Sequence, residues 1–212
     1  MEEDSVLVLV LDALDVDEDG LSFSAESDTS SVVVGVDNTE LTLTPAPDWN
    51  GTANIMVTVS DGFLSDSVYF ALTVTPVNDS PTIDLPESVS FSEDGSLVED
   101  FSEFVDDIDE DLLTLTVSDT VNITVSIDVF TVTFGAVQDY NGTETLTFTI
   151  NDSQGRAIAS DEIDVTVTPV NDAPVLTEIV SQEMEEDSVL VLVLDALDVD
   201  EDGLTFAAES DT

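Results

Sequence analysis

The chain has 212 residues, 49 acidic and one basic (Arg156), for a formal net charge of -48. It contains neither cysteine nor histidine, which excludes thiol and imidazole catalysis, disulfides and His/Cys zinc sites. A single cation cannot neutralise 49 acids internally, so bound divalent cations or a salt-rich medium must do so, and nucleic acid or an anionic membrane is a poor partner.

Despite the charge, 42% of residues are hydrophobic, enough to build cores where a purely charged chain would stay disordered. No run of 18 apolar residues suggests a membrane span. The opening MEEDSVLVLVLD carries acids where a secretion signal carries bases, and reads as interior sequence.

The apolar run 6–11 predicts the first strand, and its lack of polar alternation predicts cover on both faces. Strands follow at 21–26, 32–36, 40–44, 53–60 and 67–75, rich in Val and Thr and alternating at period two, with Gly, Asn, Asp and Pro in the turns. The stretch 82–91 offers the second repeat a leading strand. FSEFVDDI at 101–108 reads as a short helical turn, and Leu113, Leu115 and Val117 then alternate with threonines. Seven short strands in about ninety residues predict an all-β chain of tandem seven-stranded Greek-key β-sandwiches, arranged end to end.

Internal repetition sets the domain boundaries. Residues 1–29 return at 184–212 with two substitutions, Ser22 to Thr205 and Ser24 to Ala207. TVTPVNDSP at 73–81 matches TVTPVNDAP at 166–174, and DWNGT at 48–52 matches DYNGT at 139–143. The domains are therefore expected at 1–80, lacking a first strand, at 81–173, and at 174–212 as a partial third repeat. That third copy is expected to be poorly ordered or to pack against a neighbouring molecule, because its run Val189 to Leu194 has no sheet mate in its own repeat.

DALDVDEDG, at 12–20 and again at 195–203, matches a helix-loop-helix calcium loop, with Asp15, Asp17, Asp19, Gly20 and Glu26 at the ligand and turn positions. Its Val-rich and alternating flanks predict strands, and the matching stretch of the second repeat, DIDEDL at 107–112, has Leu112 and Ser118 where glycine and glutamate are required. Strand direction gives a better account. If strands alternate in direction, Glu3, Asp48, Asn78 and Asp79 fall at one pole of the first sandwich, and Asp15, Asp17 and Asp61 at the other. The first junction then gathers Glu3, Asp48, Asn78 and Asp79 with Asp107, Asp109, Asp152 and Asp111. The second gathers Glu93, Asp139, Asn171 and Asp172 with Asp198, Asp200 and Asp202. So many converging carboxylates call for a cation, and calcium, which takes six to eight oxygens, fits better than magnesium.

Three ions at each junction would still cancel only about a quarter of the net charge, so most acids face solvent. Isolated acids such as Asp28, Asp66, Asp84 and Asp100 read as turn caps. For Asp48 and Asp139, an Asx turn and a metal role both stand. Trp49 and Tyr140, beside Asn-Gly turns, either plug the sandwich floor or contact a ligand such as a sugar.

Together the EED/EDG glutamate, the DxDxDG stretch, the VSDG aspartate and the TPVNDxP linker resemble tandem bacterial cadherin-like repeats of large secreted or cell-surface proteins, including adhesins. The resemblance implies that Glu3, Glu93 and Glu186 take the PEN glutamate role. It gives Asp15/Asp17, Asp107/Asp109 and Asp198/Asp200 the DxD role, and Asp61 and Asp152 that of AxD. Asn78-Asp79 and Asn171-Asp172 resemble the linker, and Asp48 and Asp139 the LDRE aspartate. LDRE keeps one acid here, and the linker lacks its first aspartate and last asparagine, so roughly one to three calcium ions per junction are implied. The expected function is a calcium-stiffened extracellular rod on the bacterial outer surface, serving calcium-dependent adhesion through neighbouring repeats of the same chain. A carbohydrate-binding or homophilic module, with a surface glycan or protein receptor, is the alternative. Acids repeated in every unit suit structure better than one active centre, so no enzymatic activity is expected.

Overall fold

A computed structural model describes residues 1–118, 120–154 and 158–210. None of these is helical, so the helix-loop-helix alternative has no support: the 12–20 loop joins two strands. The chain forms two compact units, one of 1–79 with 108–110, the other of 80–107 with 111–212.

The first unit has six strands: β1 (Leu7–Val10), β2 (Ser22–Ser27), β3 (Val32–Asp37), β4 (Glu40–Pro45), β5 (Gly51–Ser60) and β6 (Ser65–Val74). They form two sheets, ordered β1-β4-β3 and β2-β5-β6, with every ladder antiparallel. The alternating side chains of both sheets meet in a core of Leu41, Leu43, Ala53, Ile55, Leu72 and Val74. A seventh strand is represented by one parallel bridge, Glu2 to Thr75.

The run 6–11 departs from expectation. β1 is an edge strand paired only with β4, so Leu7 and Leu9 pack on the core while Val8 and Val10 face outward, Val10 80% exposed. An all-apolar run hides that one-sidedness, because valine suits a pleated surface whether or not it is covered.

The second unit contains the expected seven strands in β8 (Ser88–Ser92), β9 (Leu97–Asp100), β11 (Thr114–Ser118), β12 (Ile123–Asp128), β13 (Thr131–Ala136), β14 (Gly142–Asn151) and β15 (Ile158–Thr168). A short pair joins them, β7 (Thr82–Ile83) with β10 (Val105–Asp106). The sheets are ordered β11-β14-β15-β8 and β12-β13-β9, with β8 parallel to β15. Phe101, Phe134 and Phe148 meet edge-on or tilted at the core, with centroids 5.3–6.3 Å apart. The expected helical turn at 101–108 is instead one tight turn, Phe104 N–H to the Phe101 carbonyl at 3.0 Å, followed by β10. Burying Phe101 and pairing β10 with β7 extends the backbone there, overriding local helical propensity.

The third copy contributes one short ladder to this unit, β16 (Val175–Leu176) with β17 (Ala196–Leu197). Residues 184–210 bury no side chain, and Val193 is 94% exposed; residues 211–212 lie outside those described. The run 189–194 forms no strand.

Candidate metal centre

In the first unit the chain entering β1 and the chain leaving β6 run side by side, bringing Glu3 and Asp79 to one pole. Glu3 N–H donates to the Thr75 carbonyl at 3.0 Å, and Glu3 Oε1 accepts Val77 N–H at 2.7 Å. This buries the glutamate to 4% exposure, and its second oxygen, Oε2, has no hydrogen-bond partner. An unsatisfied buried carboxylate oxygen costs far more than an exposed one unless something positive meets it.

Two carboxylates converge on Glu3. Asp79 N–H donates to Asp109 Oδ2 at 2.7 Å, and one oxygen each of Glu3, Asp79 and Asp109 lies within 4.8 Å of the others. Asp109 belongs to the 108–110 segment counted in this unit. A second group shares Asp79: oxygens of Asp4, Asp48 and Asp79 also lie within 4.8 Å of one another. Asp48 has φ +54°, a left-handed conformation that aspartate tolerates, and its N–H donates to Asp4 Oδ1 at 3.2 Å. Burial, then the negative charges of Asp48, Asp109, Asp4 and Glu3, push the Asp79 carboxyl above its ordinary value. Asp79 Oδ2 is likewise buried without a partner.

The second unit repeats this frame. Glu93, 7% exposed, accepts Val170 N–H, and Asp172 N–H donates to Asp200 Oδ2 at 2.6 Å. Asp172 Oδ2 is buried without a partner, and burial, then Asp94, Asp139, Asp200 and Glu93, raise the Asp172 carboxyl. Asn78 and Asn171 each donate their side-chain amide to the following residue's carbonyl, at 2.8 and 2.9 Å. Asp198 Oδ1 accepts the N–H groups of Asp200 and Asp202, both at 3.1 Å. Asp15 does the same for Asp17 and Asp19, at 2.9 and 3.1 Å, and Asp107 for Asp111 at 3.1 Å. Asp152 is buried and caps Gln154 N–H at 2.8 Å, and the Gln154 side chain reaches Asp111 at 3.1 Å.

Asp15 and Asp61 line one cleft of about 250 Å³, yet Asp15, Asp17 and Asp61 form no three-carboxylate group among the described residues. Asp61 caps the N–H groups of Phe63 and Leu64, both at 2.7 Å, which holds its carboxyl below the ordinary value. Asp100 is the expected turn cap, lowered mainly by Ser102, whereas Asp28 accepts the backbone and side-chain N–H groups of Asn54 on β5, at 2.8 and 2.7 Å, and is lowered mainly by them. Trp49 and Tyr140 are half-buried against the two cores. Gly51 and Gly142, at φ +148° and +149°, pass directly under these rings, where a Cβ would lie 3.0 Å from Trp49 and 2.9 Å from Tyr140. Sequence reasoning missed Asp4 and Asp94, although an acid follows Glu3, Glu93 and Glu186 alike.

Residues 1–75 match the family described as cadherin-like domain, and residues 78–168 match bacterial Ig domain. The resemblance read from the acidic motifs therefore holds, with the second repeat on the immunoglobulin-like branch of the same architecture. Among solved structures, the extracellular cadherin domains 1–5 of protocadherin gamma B2 share 22% identity over 94% of this chain and 44% of that one, with a TM-score of 0.52, which shows a common fold. Human protocadherin-24 EC1-2 shares 16% identity over 75% of this chain and 86% of that one, at TM-score 0.49. An endo-fucoidan hydrolase of glycoside hydrolase family 107 shares 19% identity over 80% of this chain, at TM-score 0.34, and the chain spans 27% of that enzyme's length. The comparison with curated proteins finds no match. No helix of the described residues is long and apolar enough to cross a membrane.

Proposed function

We propose that this chain is a calcium-binding, extracellular spacer module of a surface adhesin, stiffened by ions held in its acidic poles. One observation carries the reading: Glu3 is buried with Oε2 lacking a hydrogen-bond partner, and one of its oxygens lies within 4.8 Å of oxygens of Asp79 and Asp109. Three carboxylates so close repel one another, and the chain's lone basic side chain, Arg156, cannot serve every pole. An all-oxygen, high-charge donor set fits calcium, which tolerates irregular geometry, better than magnesium.

Glu3, Asp79 and Asp109 would hold one ion, and Asp4, Asp48 and Asp79 a second. The ion would supply charge neutralisation and no chemistry. Asp109 sits on the short 108–110 segment, reached through the linker and the first part of the second repeat, so gripping it ties separate stretches of chain to one pole. Without the ion, repulsion favours release of that segment. Extracellular modules bind calcium at about 10⁻⁴–10⁻³ M, so such a clamp would form on leaving the cell. Acids that recur in every repeat, with neither histidine nor cysteine beside them, support a structural role over catalysis. Trp49 and Tyr140 serve the cores in this reading.

Small-angle scattering of the chain in millimolar calcium and in chelator tests the proposal, with Asp109→Asn as control. The expected result is a larger, more variable ensemble in chelator for the native chain, and a weaker calcium response in the variant. Identical scattering curves with and without calcium would refute the stiffening role.

A further inference from the structure

The loops entering β5 and β14 are built alike. Trp49 N–H donates to the Ala46 carbonyl at 3.2 Å, and Tyr140 N–H to the Val137 carbonyl at 3.1 Å, closing a turn in each. The ladders resume at Gly51 and Gly142, the first residues of β5 and β14, opposite Val74 and Val167. Asn50 and Asn141 are the single residues between turn and ladder, and both are exposed. Among the described residues, no hydrogen bond holds either carboxamide. By contrast, Asn38, Asn54, Asn78 and Asn171 each donate their side-chain amide to an aspartate oxygen at 2.7–3.0 Å.

Each of these two asparagines precedes glycine, which no other asparagine of the chain does. Packing fixes that glycine. A Cβ at position 51 would lie 3.0 Å from the Trp49 ring, and one at 142 would lie 2.9 Å from the Tyr140 hydroxyl, both at positive φ. A glycine nitrogen is also the backbone amide best able to reach the preceding side chain, because no Cβ stands beside it. Here it lies at the end of its ladder, where pairs open at the lowest cost. The fold thus requires the one neighbour that leaves an asparagine unprotected.

We propose that Asn50 and Asn141 are sites of self-catalysed deamidation, through which each acidic pole gains a carboxylate. The Gly51 nitrogen gives its proton to water and bonds to Asn50 Cγ. The Cγ–Nδ2 bond breaks, and Nδ2 takes up a proton and leaves as ammonia, so a five-membered succinimide remains. Water then opens the ring at either carbonyl. Opening at Cγ gives aspartate, and opening at the backbone carbon gives isoaspartate, with the chain running on through Cγ. Asn141 and Gly142 react in the same way. Water enters and ammonia departs, so neither oxidant nor reductant is needed. Either product places a negative charge two residues from Asp48 or Asp139. Asp48 shares an oxygen cluster with Asp4 and Asp79, and the charge of Asp139 bears on Asp172. Isoaspartate also lengthens the backbone by a carbon beside the closely packed ring. The reaction requires no ion and proceeds whether or not the poles take calcium.

The test incubates the folded whole chain in mildly alkaline buffer and maps its peptides by mass spectrometry against time. Synthetic PDWNGT and QDYNGT, which carry no fold, set the clock, and the chain is followed for many times their half-life. The peptides carrying Asn50 and Asn141 should each split into a native and a shifted form, the shift being that of an amide nitrogen replaced by oxygen. Isomerisation at Asp–Gly bonds leaves mass unchanged, so the shift reads asparagine alone. Asn54 and Asn122, both followed by isoleucine, should stay unshifted in the same digest. On anion exchange the chain should gain later-eluting species. The double variant Asn50→Gln, Asn141→Gln alters exposed residues and should lose them, because glutamine must close a slower six-membered ring. If the synthetic peptides react and the folded chain keeps both asparagines, the ladders protect them and the proposal is overturned. A shift that reaches Asn54 and Asn122 equally also overturns it, since unfolding and not these loops would then control the reaction.

Discussion

Replacing Glu3 with Gln separates a metal ligand from a structural cap, because the two roles give opposite signs. The amide oxygen can keep the hydrogen bond from Val77 N–H, so the local fold has no reason to change. What disappears is one negative charge among three whose oxygens lie within 4.8 Å. At that separation each like-charge pair costs about 0.9 kcal/mol in a water-like medium and about 3.5 kcal/mol at an effective dielectric constant of 20. Glu3 takes part in two such pairs, so without calcium the variant should be more stable by about 2 kcal/mol or more. For a domain of this size that corresponds to a rise in Tm of roughly 8–16 °C. In saturating calcium the sign reverses, because the ion loses a buried anionic ligand. The affinity should fall about 10- to 100-fold, equivalent to about 1.4–2.8 kcal/mol. Paired calorimetric melts, in chelator and in millimolar calcium, read both effects. A variant destabilised equally in both media would show that Glu3 is only a cap on Val77, and the reasoning would fail.

Asp79 and Asp172 have carboxyls raised above the ordinary value, so their ionisation opposes folding. That penalty is absent below the unfolded pKa, grows as pH rises through the raised value and is constant above it. Melts of the calcium-free chain should therefore show stability increasing as pH falls from 7 toward the ordinary carboxylate range. Asp28, Asp61 and Asp100, with lowered values, act oppositely, and their contribution is lost only as pH falls below the ordinary carboxylate range. Gly142→Ala should destabilise by more than about 1 kcal/mol in urea unfolding, since it combines a positive φ with a Cβ against the Tyr140 hydroxyl. Val8→Thr should change stability by less than about 0.5 kcal/mol, because Val8 faces outward. Phe148→Ala, at a fully buried position, should cost about 3–5 kcal/mol.

Period-two alternation was legible along most strands because each has one buried face, as in β4 and β5, where buried and less buried residues alternate. It failed at 6–11, where valines on both faces conceal which side is covered, and at 101–108, where packing of Phe101 sets the backbone. The acidic pole was legible because strand direction alone brings Glu3, Asp48 and Asp79 to one end. Asp4 escaped because in sequence it looks like an ordinary turn acid, and only its left-handed backbone, at φ +55°, and its bond to Asp48 N–H bring it into the group. Equivalence between repeats was readable as motif.

The most direct measurement is an anomalous difference map from crystals grown in millimolar calcium. The account expects a peak about 2.3–2.6 Å from oxygens of Glu3, Asp79 and Asp109, with Glu3 Oε2 among them. Featureless density there, with those carboxylates turned apart and hydrated, would contradict it.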